Sequence, residues 1–211
     1  MRDAENIRKA EALEVDLLGF IFYSKSARHI SQDRESVEVI RRCTKPKVGV
    51  FVNETIDNIS DKAELYKLDY LQLHGSETPD MCKKLRQRGY SVIKAFSIAS
   101  ADDFKSVENY SGCCDYFLFD TKCAGYGGSG MRFDWSLLDE YNGTTPFLLS
   151  GGLTPDCFDE LNLLEHPMFA GIDLNSGFEV SPAMKDVDKL RVFISQFRKQ
   201  GEFRSCCDAI I

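Results

Sequence analysis

Residues 116–135 read YFLFDTKCAGYGGSGMRFDW. An apolar run ends on Asp120, a loop with four glycines in six positions follows (Gly125, Gly127, Gly128, Gly130), and a helix start stands at Asp134. Apolar runs of this kind mark parallel strands covered on both faces. In open α/β sheets and barrels alike, chemistry collects where such strands end. A carboxylate there, beside a loop able to wrap a ligand, is a candidate general acid or base. The same pattern also suits a turn residue among ordinary loop glycines, so the segment alone leaves both readings open.

Two further motifs suit an anion. Leu148–Thr154 (LLSGGLT) runs from a strand through Gly151-Gly152 to a helix start, and Asn175-Ser176-Gly177 follows a strand that carries Asp173. Glycines let backbone N–H groups approach a phosphate, and helix N-termini carry partial positive charge. Tyr23–His29 (YSKSARH) adds Lys25 and Arg28. Arginine's planar fork matches a carboxylate, so Arg28 is a candidate for an acidic substrate group, while Lys25 reads as solvated surface. Gln72 and His74 close another strand and read as residues lining the site. His29 and His166 show no spacing that suggests a metal.

Seven apolar runs must position these groups: Leu17–Tyr23, Lys47–Val52, Tyr70–His74, Ser91–Phe96, Tyr116–Asp120, Pro146–Ser150 and Gly171–Leu174. Eight helical stretches separate and flank them: Asp3–Leu13, Gln32–Arg42, Glu54–Leu68, Pro79–Arg88, Ala101–Tyr110, Asp134–Tyr141, Thr154–Leu164 and Met184–Lys199. Thr78-Pro79 and Thr154-Pro155 place a capping hydroxyl before a proline at the first helical position. Regular β-then-α alternation means a parallel sheet, and eight helices favour the (β/α)8 barrel. Such a barrel starts with a strand, whereas here only Met1 and Arg2 precede the first helix. The expectation is an incomplete barrel of seven strands and eight helices, its first strand missing and two edges exposed. Counting that strand as the first, the two anion loops follow strands seven and eight, the usual phosphate site of this architecture. Residues 1–200 are expected to form the barrel domain. Residues 201–211 form a C-terminal tail that either frays, the favoured reading, or packs where the missing strand would lie.

Composition narrows the classes. At 211 residues, 43% hydrophobic and 28% charged, the chain suits one globular domain with a full core. A net charge of −7, from 26 Lys+Arg against 33 Asp+Glu, argues against nucleic acid as the main partner. No apolar run approaches the roughly 20 residues that span a bilayer. The N-terminal residues lack the apolar core of a signal peptide, so a cytoplasmic protein with no membrane partner is expected. The eight cysteines (43, 82, 113, 114, 123, 157, 206 and 207) then read as free thiols. None stands in a CxxC arrangement, so no metal site is expected.

The chain resembles the phosphoribosylanthranilate isomerases. The match runs in order through GFIFYSKSARHIS, KVGVFVN, LQLHG, VIKAF, LFDTKCAGYGGSGMRFDW, LLSGGLTP and GIDLNSGFEVSPAMKD. LQLHG and the Asp-Thr-Lys, GYGGSG and Phe-Asp-Trp run are specific to that family. The resemblance implies a compact (β/α)8 fold and an Amadori rearrangement of N-(5′-phosphoribosyl)anthranilate in tryptophan biosynthesis. No metal or organic cofactor is implied, because the iminium intermediate is its own electron sink. The family's general acid matches Asp120, and a proton held there calls for apolar surroundings. Its carboxylate-binding arginine matches Arg28, its phosphate cradle matches Gly151, Gly152, Ser176 and Gly177, and Asp173 lies near that cradle without a proton-transfer step. The family's general base is a cysteine in a Lys-Ile/Val-Cys-Gly motif just before the first helix. That base is therefore expected upstream of Met1, on the strand already found missing, with turnover impaired without it. Ala124 stands where the family commonly has proline and Met131 where it often has lysine, and Cys123 reads as an incidental loop residue. The expected partner is a small phosphosugar, with the chain a monomer or homodimer. Two alternatives remain: a non-catalytic phosphosugar- and anthranilate-binding barrel with a regulatory or interaction role, and another phosphosugar barrel, which leaves LQLHG and GYGGSG unexplained.

Overall fold

The computed structural model describes residues 1–121, 134–201 and 208–210. Cys123, Ala124, the glycines 125, 127, 128 and 130, Met131, Cys206 and Cys207 lie outside the described residues. Asp3 caps α1 (Ala4–Glu11) by accepting from the Asn6 amide at 2.7 Å, and β1 (Leu18–Ile21) follows. Asp33 caps α2 (Arg34–Arg42) in the same way, ahead of β2 (Lys47–Phe51). Thr55 caps α3 (Ile56–Tyr66) and Thr78 caps α4 (Pro79–Gln87), with β3 (Tyr70–Leu73) between them and β4 (Ser91–Ile98) after. Short oxygen-bearing side chains satisfy otherwise unpaired first-turn N–H groups, which is why each of these helices begins where it does.

The later crossovers are more broken. Residues 101–110 form two 3-10 turns around α5 (Phe104–Val107), and β5 (Tyr116–Thr121) follows. Trp135–Glu140 is 3-10 throughout, and β6 (Phe147–Leu149) leads to the turn Pro155–Cys157 and α6 (Phe158–Asn162). The last expected helix also starts later. After β7 (Phe169–Asp173), residues Glu179–Ser181 (β8) and Met184–Lys185 (β9) pair as an antiparallel hairpin, and α7 spans Val187–Gly201. The turn at Ala183, with φ of 69°, and the facing charges of Glu179 and Lys185 hold Met184 in the hairpin and out of the helix.

Strands β1 to β7 pair in chain order, every neighbour parallel. Alternation along them sorts the core into two layers. Leu17, Val48, Ile93, Ala95, Leu118, Leu148 and Ala170 pack together inside the curl. Phe20, Phe51, Leu71, Phe117, Phe119, Phe147 and Ile172 join the larger core under the helices. Strands that follow one another in chain order without reversal, with an apolar layer on each face, match the barrel architecture the alternation predicts.

The tail departs from the favoured reading. Asp208–Ile210 (β10) pairs in parallel with β7, with Asp208 opposite Gly171 and Ile210 opposite Asp173, as the eighth strand of the sheet. The edge of β7 borders the core and presents a row of unpaired backbone groups, which a strand covers at less cost than a frayed end. Among the described residues no helix is long and apolar enough to cross a membrane.

Candidate active site

The parallel sheet sends the end of every strand to one face, and the residues singled out above gather there. Asp120 lies at the end of β5, His74 follows β3, Ser150 follows β6 and Asp173 ends β7. The Gln72 amide nitrogen lies 2.9 Å from His74 Nδ1, and His74 Nε2 lies 3.2 Å from Asp120 Oδ2. An amide nitrogen can only donate. The network therefore assigns Nδ1 as acceptor and puts the ring proton on Nε2, aimed at Asp120. Asp120 is thus placed against a polar neighbour, with 22% of its side chain exposed. The apolar surroundings expected for it are not what the structure provides.

Asp173 is the more enclosed carboxyl. It accepts from the Ser150 hydroxyl at 3.1 Å. Burial pushes its proton affinity above the ordinary carboxylate range, the Lys185 charge opposes that shift, and the charge of Asp120 adds to it. A raised carboxyl binds protons more tightly folded than unfolded. Stability from this group is therefore present at low pH and falls as pH rises past the ordinary value of 3.8. Asp173→Asn keeps a partner for Ser150 and removes the penalised charge. Thermal unfolding followed against pH is expected to show the variant melting above the parent near pH 7, the gap closing below about 3.8.

The two glycine motifs come together. Gly151 and Gly152 adopt φ of 85° and 67°, open to glycine and strained for other residues. The turn Ser176–Phe178 lies against the residue that follows them so closely that a Cβ on Gly177 would stand 2.0 Å from the Leu153 carbonyl oxygen. The two loops thus present adjoining backbone at one corner of the sheet's end.

Arg28 reaches the site from the loop after β1, and its fork is already partnered. Nε donates to both Glu179 oxygens at 3.0 and 2.9 Å, and Nη2 donates to Oε2 at 2.7 Å. Glu179 faces Lys185 across the hairpin, with Nζ 3.7 Å from Oε1. Lys185 Nζ also donates to Leu174 O and Asn175 Oδ1 at 2.9 and 3.0 Å, tying the pair to the loop after β7. Burial lowers the Lys185 pKa to about 8 against the attraction of Glu179 and Asp173. Burial alone would raise Glu179, but the Arg28 hydrogen bond and the Lys185 charge outweigh it and hold the carboxyl below its usual range. Sequence reasoning did not single out Glu179 or Lys185. The signal available was a pair of opposite charges flanking a Ser-Pro-Ala turn.

A second buried cation also escaped notice. Lys94 on β4 donates to Leu73 O, Gly75 O and Ala95 O at 3.1, 2.8 and 2.9 Å, and its Nζ lies 3.3 Å from Glu77 Oε2. It fixes the turn that carries His74 and Gly75. An open cleft of about 300 Å³ adjoins this turn, lined in part by His74, Ser76, Lys94, Phe96 and Tyr110.

Similarity to known proteins bears on this constellation. A family model described as N-(5′-phosphoribosyl)anthranilate (PRA) isomerase matches residues 1–196. An N-(5′-phosphoribosyl)anthranilate isomerase of Parabacteroides distasonis is 54% identical over 198 residues, covering 93% of this chain and 90% of that protein. The crystal structure of phosphoribosyl anthranilate isomerase from Thermotoga maritima is 34% identical, with a TM-score of 0.80 over 94% of this chain and 96% of the other. A phosphoribosyl anthranilate isomerase in complex with reduced 1-(o-carboxyphenylamino)-1-deoxyribulose 5-phosphate is 32% identical, with a TM-score of 0.75 over 93% and 94%.

Proposed function

The chain belongs to the N-(5′-phosphoribosyl)anthranilate isomerase family of tryptophan biosynthesis, and from that premise we propose how its residues divide the reaction. The phosphate of the substrate lies against the backbone of Gly151, Gly152, Ser176 and Gly177. The anthranilate carboxylate meets Arg28, and the ribose lies between, over Asp120. Asp120 is the general acid. It gives its proton to the ring oxygen as the C1–O bond breaks, which opens the sugar to an iminium. Loss of a proton from C2 then yields the enol form of the aminoketose, and the iminium nitrogen takes up the electron pair. His74, oriented by Gln72, holds the Asp120 carboxyl in the pose this transfer needs. Asp173 sits beside the phosphate loops and moves no proton. The C2 proton passes to a cysteine of the Lys-Ile/Val-Cys-Gly motif that the family resemblance implies. The working compartment is the cytoplasm, the partner a small phosphosugar, and the assembly a monomer or homodimer.

The observation that carries this reading is the Gln72–His74–Asp120 chain at the strand ends, beside two glycine loops in contact. Calorimetric titration with the reduced carboxyphenylamino-deoxyribulose phosphate tests it. One ligand should bind per chain, and excess inorganic phosphate should displace it. Saturable binding indifferent to phosphate would contradict the assignment of the loops.

A further inference from the structure

Every guanidinium offers two bidentate edges, one formed by Nε and a terminal nitrogen and one formed by the two terminal nitrogens. Glu179 occupies the first edge of Arg28 with both its oxygens. Among the described residues no other side chain bonds the guanidinium, so the Nη1–Nη2 edge is turned away from Glu179. Glu179 is itself held from behind. Oε1 accepts from the Ala183 amide at 3.3 Å and lies 3.7 Å from Lys185 Nζ, its partner across the hairpin. The hairpin in turn is pinned to α1, where the Asn6 side chain donates to Lys185 O and accepts from Lys185 N, both at 2.8 Å. The Glu179 side chain is only 4% exposed, whereas that of Arg28, on a loop, is 17% exposed.

From this geometry we propose that Glu179 is a positioning residue for substrate binding. It grips one edge of Arg28 and presents the other to the substrate's aromatic carboxylate. The proposal rests on the reading of Arg28 given above. Four charges then alternate in sign: Lys185, Glu179, Arg28 and the incoming carboxylate. The arrangement places a fixed fork, already partly desolvated, where a free loop arginine would have to be ordered on binding. Because Lys185 also donates to Leu174 O and Asn175 Oδ1, the same frame connects the carboxylate end of the site to the loop assigned to the phosphate end.

The test is the affinity ratio between two probes: the reduced carboxyphenylamino-deoxyribulose phosphate and its phenylamino counterpart without the carboxylate. Calorimetry is run on the parent, Arg28→Ala, Glu179→Gln and Glu179→Asp. The parent should favour the carboxylate probe by about 10- to 100-fold, the worth of a charge-assisted pair. Arg28→Ala should abolish that preference. Glu179→Gln should cut it by roughly tenfold, acting on the carboxylate probe and leaving the phenylamino probe unchanged, an effect a merely structural residue would not show. Glu179→Asp keeps the charge but is too short to span the guanidinium edge. It should show the same selective loss, and it serves as the test if circular dichroism finds the Gln variant unfolded. A full preference in the folded Glu179 variants, with its loss in Arg28→Ala, would overturn the role of Glu179 and leave that of Arg28 standing. Retention of the preference in Arg28→Ala would overturn both.

Discussion

Asp120→Asn is expected to lower kcat by about 10² to 10⁴-fold, the usual contribution of a positioned acid. The affinity for the reduced product analogue should stay close to that of the parent. Asparagine is nearly the shape of aspartate and still accepts a hydrogen bond from His74 Nε2, which lies 3.2 Å from Oδ2 in the parent. It has no proton to give the ring oxygen. The loss should therefore fall on the rate constant while KM barely moves, which marks an interaction made only in the transition state. A variant that lost affinity and kept kcat would show Asp120 to be a binding residue.

Gly177→Ala should be the most damaging of the small substitutions. Its new methyl would stand 2.0 Å from Leu153 O and 3.0 Å from the Leu153 carbonyl carbon. Both are backbone atoms, so no side chain can rotate to make room. Overpacking typically costs about 1–3 kcal/mol, and a backbone clash places this case at or above the upper end. Relief requires the loops after β6 and β7 to part, which would also disperse the N–H groups assigned to the phosphate. Urea unfolding should report the stability loss, and displacement of bound analogue by inorganic phosphate should require far more phosphate. Unchanged phosphate competition in a destabilised but folded variant would separate the close packing of these loops from phosphate binding.

Local pattern made most of the fold legible. Each of β1 to β7 falls within or beside an apolar run, because a strand covered on both faces must be apolar along its length. Asp120 reads as an acid closing such a run and Asp173 as an acid within one, and the structure brings both to the ends of their strands. Gly151, Gly152 and Gly177 read as glycines placed where the barrel count puts a phosphate. What stayed hidden depends on contacts between distant parts of the chain. Glu179 lies 151 residues from Arg28, and nothing in either neighbourhood states that the two will meet. Lys94 sits in the run Ser91–Phe96, and only the turn after β3 shows why a lysine can be buried there, with three carbonyls and Glu77 to receive it. The pairing of Asp208–Ile210 with β7 likewise follows from an edge that exists only once the sheet has formed. The broken crossovers were misjudged for a different reason. The alternation of runs marks where a crossover lies and not whether its backbone is α or 3-10: residues 101–110 and 134–141 read as helix and fold largely as short 3-10 turns.

Turnover of freshly generated N-(5′-phosphoribosyl)anthranilate is the measurement that bears most directly on the account. It is run on the full-length protein and on its Asp120→Asn variant. The account predicts rapid isomerisation by the parent, a rate lower by about 10²-fold or more in the variant, and analogue binding by both. Tight analogue binding with no turnover by either chain would contradict it and would identify a barrel that holds this phosphosugar without transforming it.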